Sequence, residues 1–207
     1  YTTLFRSKSF VSGYTGQNSP DYSNTKSWSI NGKTVSLLGI NSAWFCRRHL
    51  EAGKWNDYGL ARVGERQIHG PLEDISKSDL RIAVLHHSKE WLEYYDGEDV
   101  WKRLKKSCHF ILHGHGHELD VSAERGTKGD FVLIPAGAIF DRRIAKDPNR
   151  INSYNFVHLD FRSGKGTVFL RCWNDSDSTW TAYDLKSPKG MCLLDRLPGS
   201  FGLSRDS

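Results

Sequence analysis

Two apolar runs, Asp79-Leu-Arg-Ile-Ala-Val-Leu-His86 and His109-Phe-Ile-Leu112, each lead into histidines, and a helix-patterned stretch lies between them. Continuous apolar runs of this length read as strands covered on both faces. Between them, from about Glu98 to Ser107, Val100, Trp101 and Leu104 share one helical face, with Lys102, Arg103, Lys105 and Lys106 largely on the others. Those basic residues suit the C-terminal end of the helix dipole. Strand, helix, strand and then a polar glycine-rich turn is α/β logic, in which functional loops gather at the carboxyl ends of strands. Both His86 and His115 fall at such ends.

The rest of the chain is organised around that unit. Thr34 to Phe45 reads as an earlier buried strand, bounded by the turn-like Asn31-Gly32 on one side and a charged stretch on the other. Val63 to Ile75 has helical spacing of Ile68, Leu72 and Ile75, which Gly70-Pro71 must kink or delay. After the histidines, "DFVLIPAGAIF", "YNFVHLDF", "GTVFLRCW" and "TWTAYDL" are successive strand candidates between polar turns, a pattern that favours antiparallel pairing. Residues 1–33 are rich in Ser, Gly, Asn and Tyr and read as loop, and residues 184–207 read as an irregular tail. No repeat, low-complexity tract or clean linker divides the chain, so residues 1–183 are taken as one stretch of domain.

Composition excludes several classes. The formal charge of +5 comes from 29 basic and 24 acidic residues that are interspersed, so charge alone is a weak pointer to nucleic acid. The four cysteines form no CxxC pair, which argues against a disulfide framework or closed zinc ribbon and favours a reducing, cytoplasmic setting. Cys46 and His49 have a CxxH spacing, but without a second pair a zinc role is set aside. No apolar run has the length of a membrane span, and no membrane partner is expected. The opening "YTTLFRSKSF" has no initiator Met or signal-peptide pattern, so a trimmed or partial chain is expected.

The chemistry concentrates in "VLHHS" (Val84 to Ser88) and "LHGHGH" (Leu112 to His117). Imidazole is a common ligand for borderline transition metals, and histidines at i and i+2 of an extended segment point to the same side. Gly114 and Gly116 lack a Cβ, so the backbone there is free to turn sharply and let a metal or phosphate approach. An isolated His-x-His is more often a solvated turn than a ligand set. The second strand-end pair, His86-His87, tips the reading toward a metal site.

These residues carry a family resemblance. Val84-Leu-His-His-Ser88 resembles the "HHP" segment of calcineurin-like metallophosphoesterases, and Leu112-His-Gly-His-Gly-His117 resembles their GHxH segment. Leu37 to Trp44 ("LLGINSAW") is similar to the strand and "LNSA" segment of bacterial members. Asp57 to Ile68 ("DYGLARVGERQI") and Ile134 to Phe140 ("IPAGAIF") follow in the family's order, so the resemblance spans about residues 34–173. It implies an α/β chain, the C-terminal part of a four-layer α/β-β/α sandwich, with a mixed sheet followed by antiparallel strands. The implied activity is hydrolysis of phosphomonoesters or phosphodiesters at a binuclear centre of two divalent ions (manganese, iron or zinc), with an activated water.

Carried over position by position, the resemblance makes His86, His115 and His117 metal ligands, with His86 and His115 sharing one ion and His117 on the other. It makes His87 the catalytic or substrate-side group and His113 a residue at the mouth of the site. From their position, Tyr94 and Arg142 are candidates to touch the substrate, with nucleotides or nucleic acid among the phosphate esters considered. Ser88 stands where many members have Pro. The family's Asp-x-His, Gly-Asp-x-x-Asp and Gly-Asn-His segments do not occur in this sequence. The chain is therefore expected to need the N-terminal half of the same domain to complete its site, and to be inactive alone. A nuclease-type member and a non-catalytic binding module are the alternatives.

Overall fold

The computed structural model describes residues 23–46, 49–51, 54–115, 120–125, 130–139 and 151–199. The chain divides into two compact units, residues 1–104 and 105–207. Both are mixed α/β or β in character, in keeping with the α/β class expected from the sequence.

In the first unit, β1 (Ser23–Ile30) and β2 (Lys33–Ile40) form an antiparallel hairpin. Its two-residue turn is Asn31-Gly32, with φ of 50° and 73°. Positive φ at both central residues makes the turn twist with the strands, which is why Asn-Gly is favoured there. β1 thus occupies part of the stretch expected to be loop. Its side chains are mostly exposed, so it lacks the apolar alternation that marks a strand in sequence.

β2 then pairs in parallel with β5 (Leu80–Leu85), Leu38 opposite Ala83 and Ile40 opposite Leu85. The crossover between them carries the short hairpin of β3 (His49–Glu51) and β4 (Lys54–Asn56), a 3₁₀ turn at Glu65–Gln67, and α1 (His69–Asp74). The helical spacing expected over Val63 to Ile75 is thus split in two. Pro71 lies in the first turn of α1, where its missing N–H costs nothing. Leu38, Ile68, Ile75, Leu80 and Ala83 are all buried in this unit.

α2 (Tyr94–Ser107) follows a 3₁₀ turn at Lys89–Trp91. It starts a turn earlier than the sequence spacing suggests. The Glu93 carboxylate accepts the Asp96 N–H at 3.2 Å, filling the N-cap role. The Asp96 carboxylate in turn accepts from the backbone N–H of Val63 (2.7 Å) and Gly64 (2.9 Å), tying the helix start to the crossover. The buried face is Gly97, Val100, Trp101 and Leu104, at the i, i+3, i+4, i+7 spacing of an amphipathic helix. Gly97 permits a close approach: a Cβ there would lie 3.1 Å from Leu92 Cβ.

In the second unit, β6 (Phe110–His113) pairs in parallel with β8 (Phe131–Pro135), and β7 (Ser122–Glu124) pairs antiparallel on the other side of β8. The "DFVLIP" run thus pairs in parallel with β6 on one side and antiparallel on the other, where its partner is β7 and not the next strand of the expected series. The antiparallel part begins later. β10 (Lys165–Asn174) is central, with β9 (Ser153–Asp160) along one edge, and β11 (Thr179–Ala182) and β12 (Met191–Leu194) on the other. Val168 and Leu170 of β10 are buried. β12 lies within the stretch expected to be an irregular tail. A Cβ at Gly137 would collide with Ser153, whose N–H donates to Ala138 O at 2.8 Å. That close approach explains the glycine of the "PAGA" segment. Among the described residues no helix is long and apolar enough to cross a membrane.

Candidate functional site

The parallel register of the first unit sets the geometry. Because Ile40 and Leu85 are opposite each other at the carboxyl ends of β2 and β5, Asn41-Ser42 and His86-His87 leave the sheet side by side. Gln67, buried, clamps the first of these segments. Its Oε1 accepts from Asn41 N–H at 2.8 Å, and its Nε2 donates to Asn41 O (3.0 Å) and Val63 O (2.7 Å). One side-chain amide thereby replaces the strand pairing that Asn41 has lost.

Ser42 clamps the second. Its Oγ, in a residue 1% exposed, accepts from the backbone N–H of His86 (3.2 Å) and His87 (3.0 Å), and lies 3.0 Å from His87 Nδ1. The histidines therefore have different environments. His87 is 3% exposed, whereas His86 is exposed, with the two rings edge to face at 4.8 Å. The Trp91 ring lies 6.3 Å from that of His87, and Tyr58 packs edge-on against Trp91 at 5.2 Å.

A second group adjoins His87. The Cys46 thiol donates to the Asp57 carboxylate at 3.4 Å. One ligand atom each from Cys46, Asp57 and His87 lie within 4.8 Å of one another. A nitrogen, oxygen and sulfur donor set of this kind suits zinc or iron better than magnesium or calcium.

In the second unit, His113 ends β6 opposite Pro135, and its carbonyl accepts Ala136 N–H at 2.6 Å. The Gly114 carbonyl 3.2 Å from His113 Nδ1 can only accept, so Nδ1 carries the proton of that bond. His115 is half-buried and has φ of 64°, a left-handed conformation uncommon outside glycine. His117 and Arg142 lie outside the described residues. Tyr94 is the first residue of α2, 69% exposed, and meets Tyr95 edge-on at 5.2 Å. The structure thus brings His86 and His87 together with each other and with Ser42. The sequence reading gave no role to Ser42, Gln67 or Asp57. The signal available for the first two was a polar residue at the end of an apolar run, and a glutamine at an i, i+1 step from a core isoleucine.

No protein-family model matches the chain, and no curated protein matches it. Among solved structures it is similar to a putative 5'-nucleotidase from Staphylococcus aureus in complex with alpha-ketoglutarate, with 14% identity and a TM-score of 0.38 over 88% of this chain and 31% of that one. It is also similar to a hypothetical protein from Thermus thermophilus, with 11% identity and a TM-score of 0.38 over 72% of this chain and 61% of that one. The chain spans well short of the full length of either.

Proposed function

We propose that this chain is the histidine-bearing part of a metal-dependent phosphoesterase, in which His86, His115 and His117 supply imidazole ligands to two divalent ions. The observation that carries the reading is the parallel strand pair whose carboxyl ends present Asn41-Ser42 and His86-His87 side by side. It is joined by the ordered set of sequence segments that resemble the metallophosphoesterases. Manganese, iron or zinc suits imidazole ligation with oxygen donors. Such ions, when bound, supply Lewis-acid polarisation of phosphoryl oxygens and activation of water. The chain's own residues hold and orient. His86 offers an exposed imidazole at a strand end, and Ser42 fixes the backbone of the segment that carries it. His87 faces the substrate side, and His113, Tyr94 and Arg142 contact a phosphate ester, a nucleotide or nucleic acid being one class. The four cysteines form no CxxC pair, which supports a reducing cytoplasmic setting on this reading.

Two measurements test this. Titrating the chain with zinc or manganese is expected to show binding that His86→Ala and His115→Ala each weaken by roughly tenfold or more, since even outer-shell losses at metal sites reach that size. His69→Ala, an exposed residue on α1, should leave the affinity unchanged. Equal affinity in wild type and His86→Ala would remove the ligand assignment. In a chain that also contains the carboxylate-bearing segments, His115→Ala should abolish most manganese-dependent hydrolysis of an aryl phosphodiester. Metal binding without hydrolysis there would make the protein a binding module instead.

A further inference from the structure

The hydrogen bonds around Ser42 determine more than the position of a loop. A hydroxyl has one hydrogen to donate and two lone pairs. Both lone pairs of Ser42 Oγ are taken by backbone N–H groups, His86 at 3.2 Å and His87 at 3.0 Å, and neither amide can reverse its role. The remaining partner, His87 Nδ1 at 3.0 Å, must then accept the Ser42 hydrogen. If Nδ1 instead carried a proton, three donors would converge on one oxygen. The Ser42 O–H would also be left without an acceptor in a residue that is 1% exposed.

We infer that Ser42 is a positioning residue that holds His87 as the neutral imidazole protonated at Nε2, making His87 a hydrogen-bond donor and not a metal ligand. An imidazole that ligates through Nε2 ordinarily keeps its proton on Nδ1 and donates it to an oxygen acceptor. Here that position receives a hydrogen. An ion bound at Nε2 would need either an imidazolate ring or the loss of a buried bond to Ser42. The neighbouring Cys46 and Asp57 fit the same assignment, because a carboxylate and a sulfur are acceptors for an N–H as well as donors to a metal. The Cys46–Asp57–His87 group is on this account a hydrogen-bonded cluster and not a zinc site. The adjacent histidines thereby have opposite duties, His86 ligating and His87 donating. That His86 ligates an ion rests on the phosphoesterase reading; the tautomer of His87 does not.

The tautomer is measurable without any turnover. In the 207-residue chain labelled with 15N-histidine, long-range proton–nitrogen correlation distinguishes protonated from bare ring nitrogens, and the His87→Gln spectrum identifies the ring of interest. Above the usual imidazole range, wild type is expected to show a protonated Nε2 and a bare Nδ1 at His87, unchanged when zinc is added. Ser42→Ala should shift the ring toward the Nδ1–H form, and Ser42→Thr, which restores a hydroxyl, should recover the wild-type pattern. A proton on Nδ1 in the wild type, or loss of the Nε2 proton to zinc, would overturn the inference. An unchanged ring in a folded Ser42→Ala would overturn the part given to Ser42. If that variant does not fold, the wild-type and Ser42→Thr spectra still decide. Failure of the hydrolysis assay would sink the phosphoesterase reading and leave the tautomer standing.

Discussion

His115 holds a backbone conformation, φ of 64°, that is uncommon outside glycine, although His, like Asn and Asp, adopts it more readily than most residues. The left-handed region costs a residue with a Cβ roughly 1–2 kcal/mol. The histidine at this position, between two glycines, combines that backbone cost with whatever the imidazole contributes to the fold. Replacing it separates the two. His115→Gly is expected to melt no lower than wild type, whereas His115→Val, whose β-branch is more crowded still at positive φ, is expected to melt lower. A glycine variant destabilised as much as the valine variant would show that the imidazole itself supports the fold. At the same scale, Ser42 and His87 show how little a buried polar residue reveals in sequence. Their bond joins positions 45 residues apart, and nothing local to "NSA" or "HHS" specifies the partner.

The elements that proved legible were those with an apolar signature of their own. β5 and β6 appear within a residue or two of where the apolar runs lie, and α2 buries the three large residues its spacing selects. β1 was hidden because its exposed face carries serine, threonine and lysine; the Asn31-Gly32 turn was the better clue. The parallel pairing of β8 with β6 was hidden for another reason. Antiparallel and parallel strands share one period of two, and only the crossover decides which partner is reached.

Strand starts are also where charge acts in this protein. Asp79, just before β5, accepts the Thr34 N–H of β2 at 2.8 Å and meets Lys33 Nζ at 3.3 Å. The Thr34 bond, with Lys33 adding to it, holds its carboxyl below the usual carboxylate value. A lowered native pKa stabilises the fold above the unfolded value of about 3.9, and that contribution is lost as pH falls through the native value. The melting-temperature gap between wild type and Asp79→Asn is therefore expected to be constant above about pH 5 and to close in acid below about pH 3.9. A gap independent of pH would mean that the carboxylate's charge is not what joins the strands.

For the whole molecule, the proposed metal centre predicts a linkage between binding and stability. Any ion that binds the native chain and not the unfolded one stabilises it, by about 2.7 kcal/mol at a hundred times its dissociation constant. For a chain of this size that corresponds to a rise in Tm of roughly 5–10 °C, reversed by a chelator. At the same ion concentration His86→Ala, which weakens binding roughly tenfold or more, should cut the rise by about half or more, and an undiminished rise in that variant would place the ion elsewhere.

The sequence by itself determined the α/β class, the order of the central elements and the two strand-end histidine segments, because hydrophobic periodicity and chain order are local properties. Only the tertiary structure decided which histidine is buried, that β2 and β5 deliver Ser42 to the HHS backbone, and that Cys46 meets Asp57. Those depend on which distant segment a strand pairs with. A buried hydroxyl with one hydrogen and two lone pairs then turns that pairing into a proton's position, which no spacing in "LHHS" could specify.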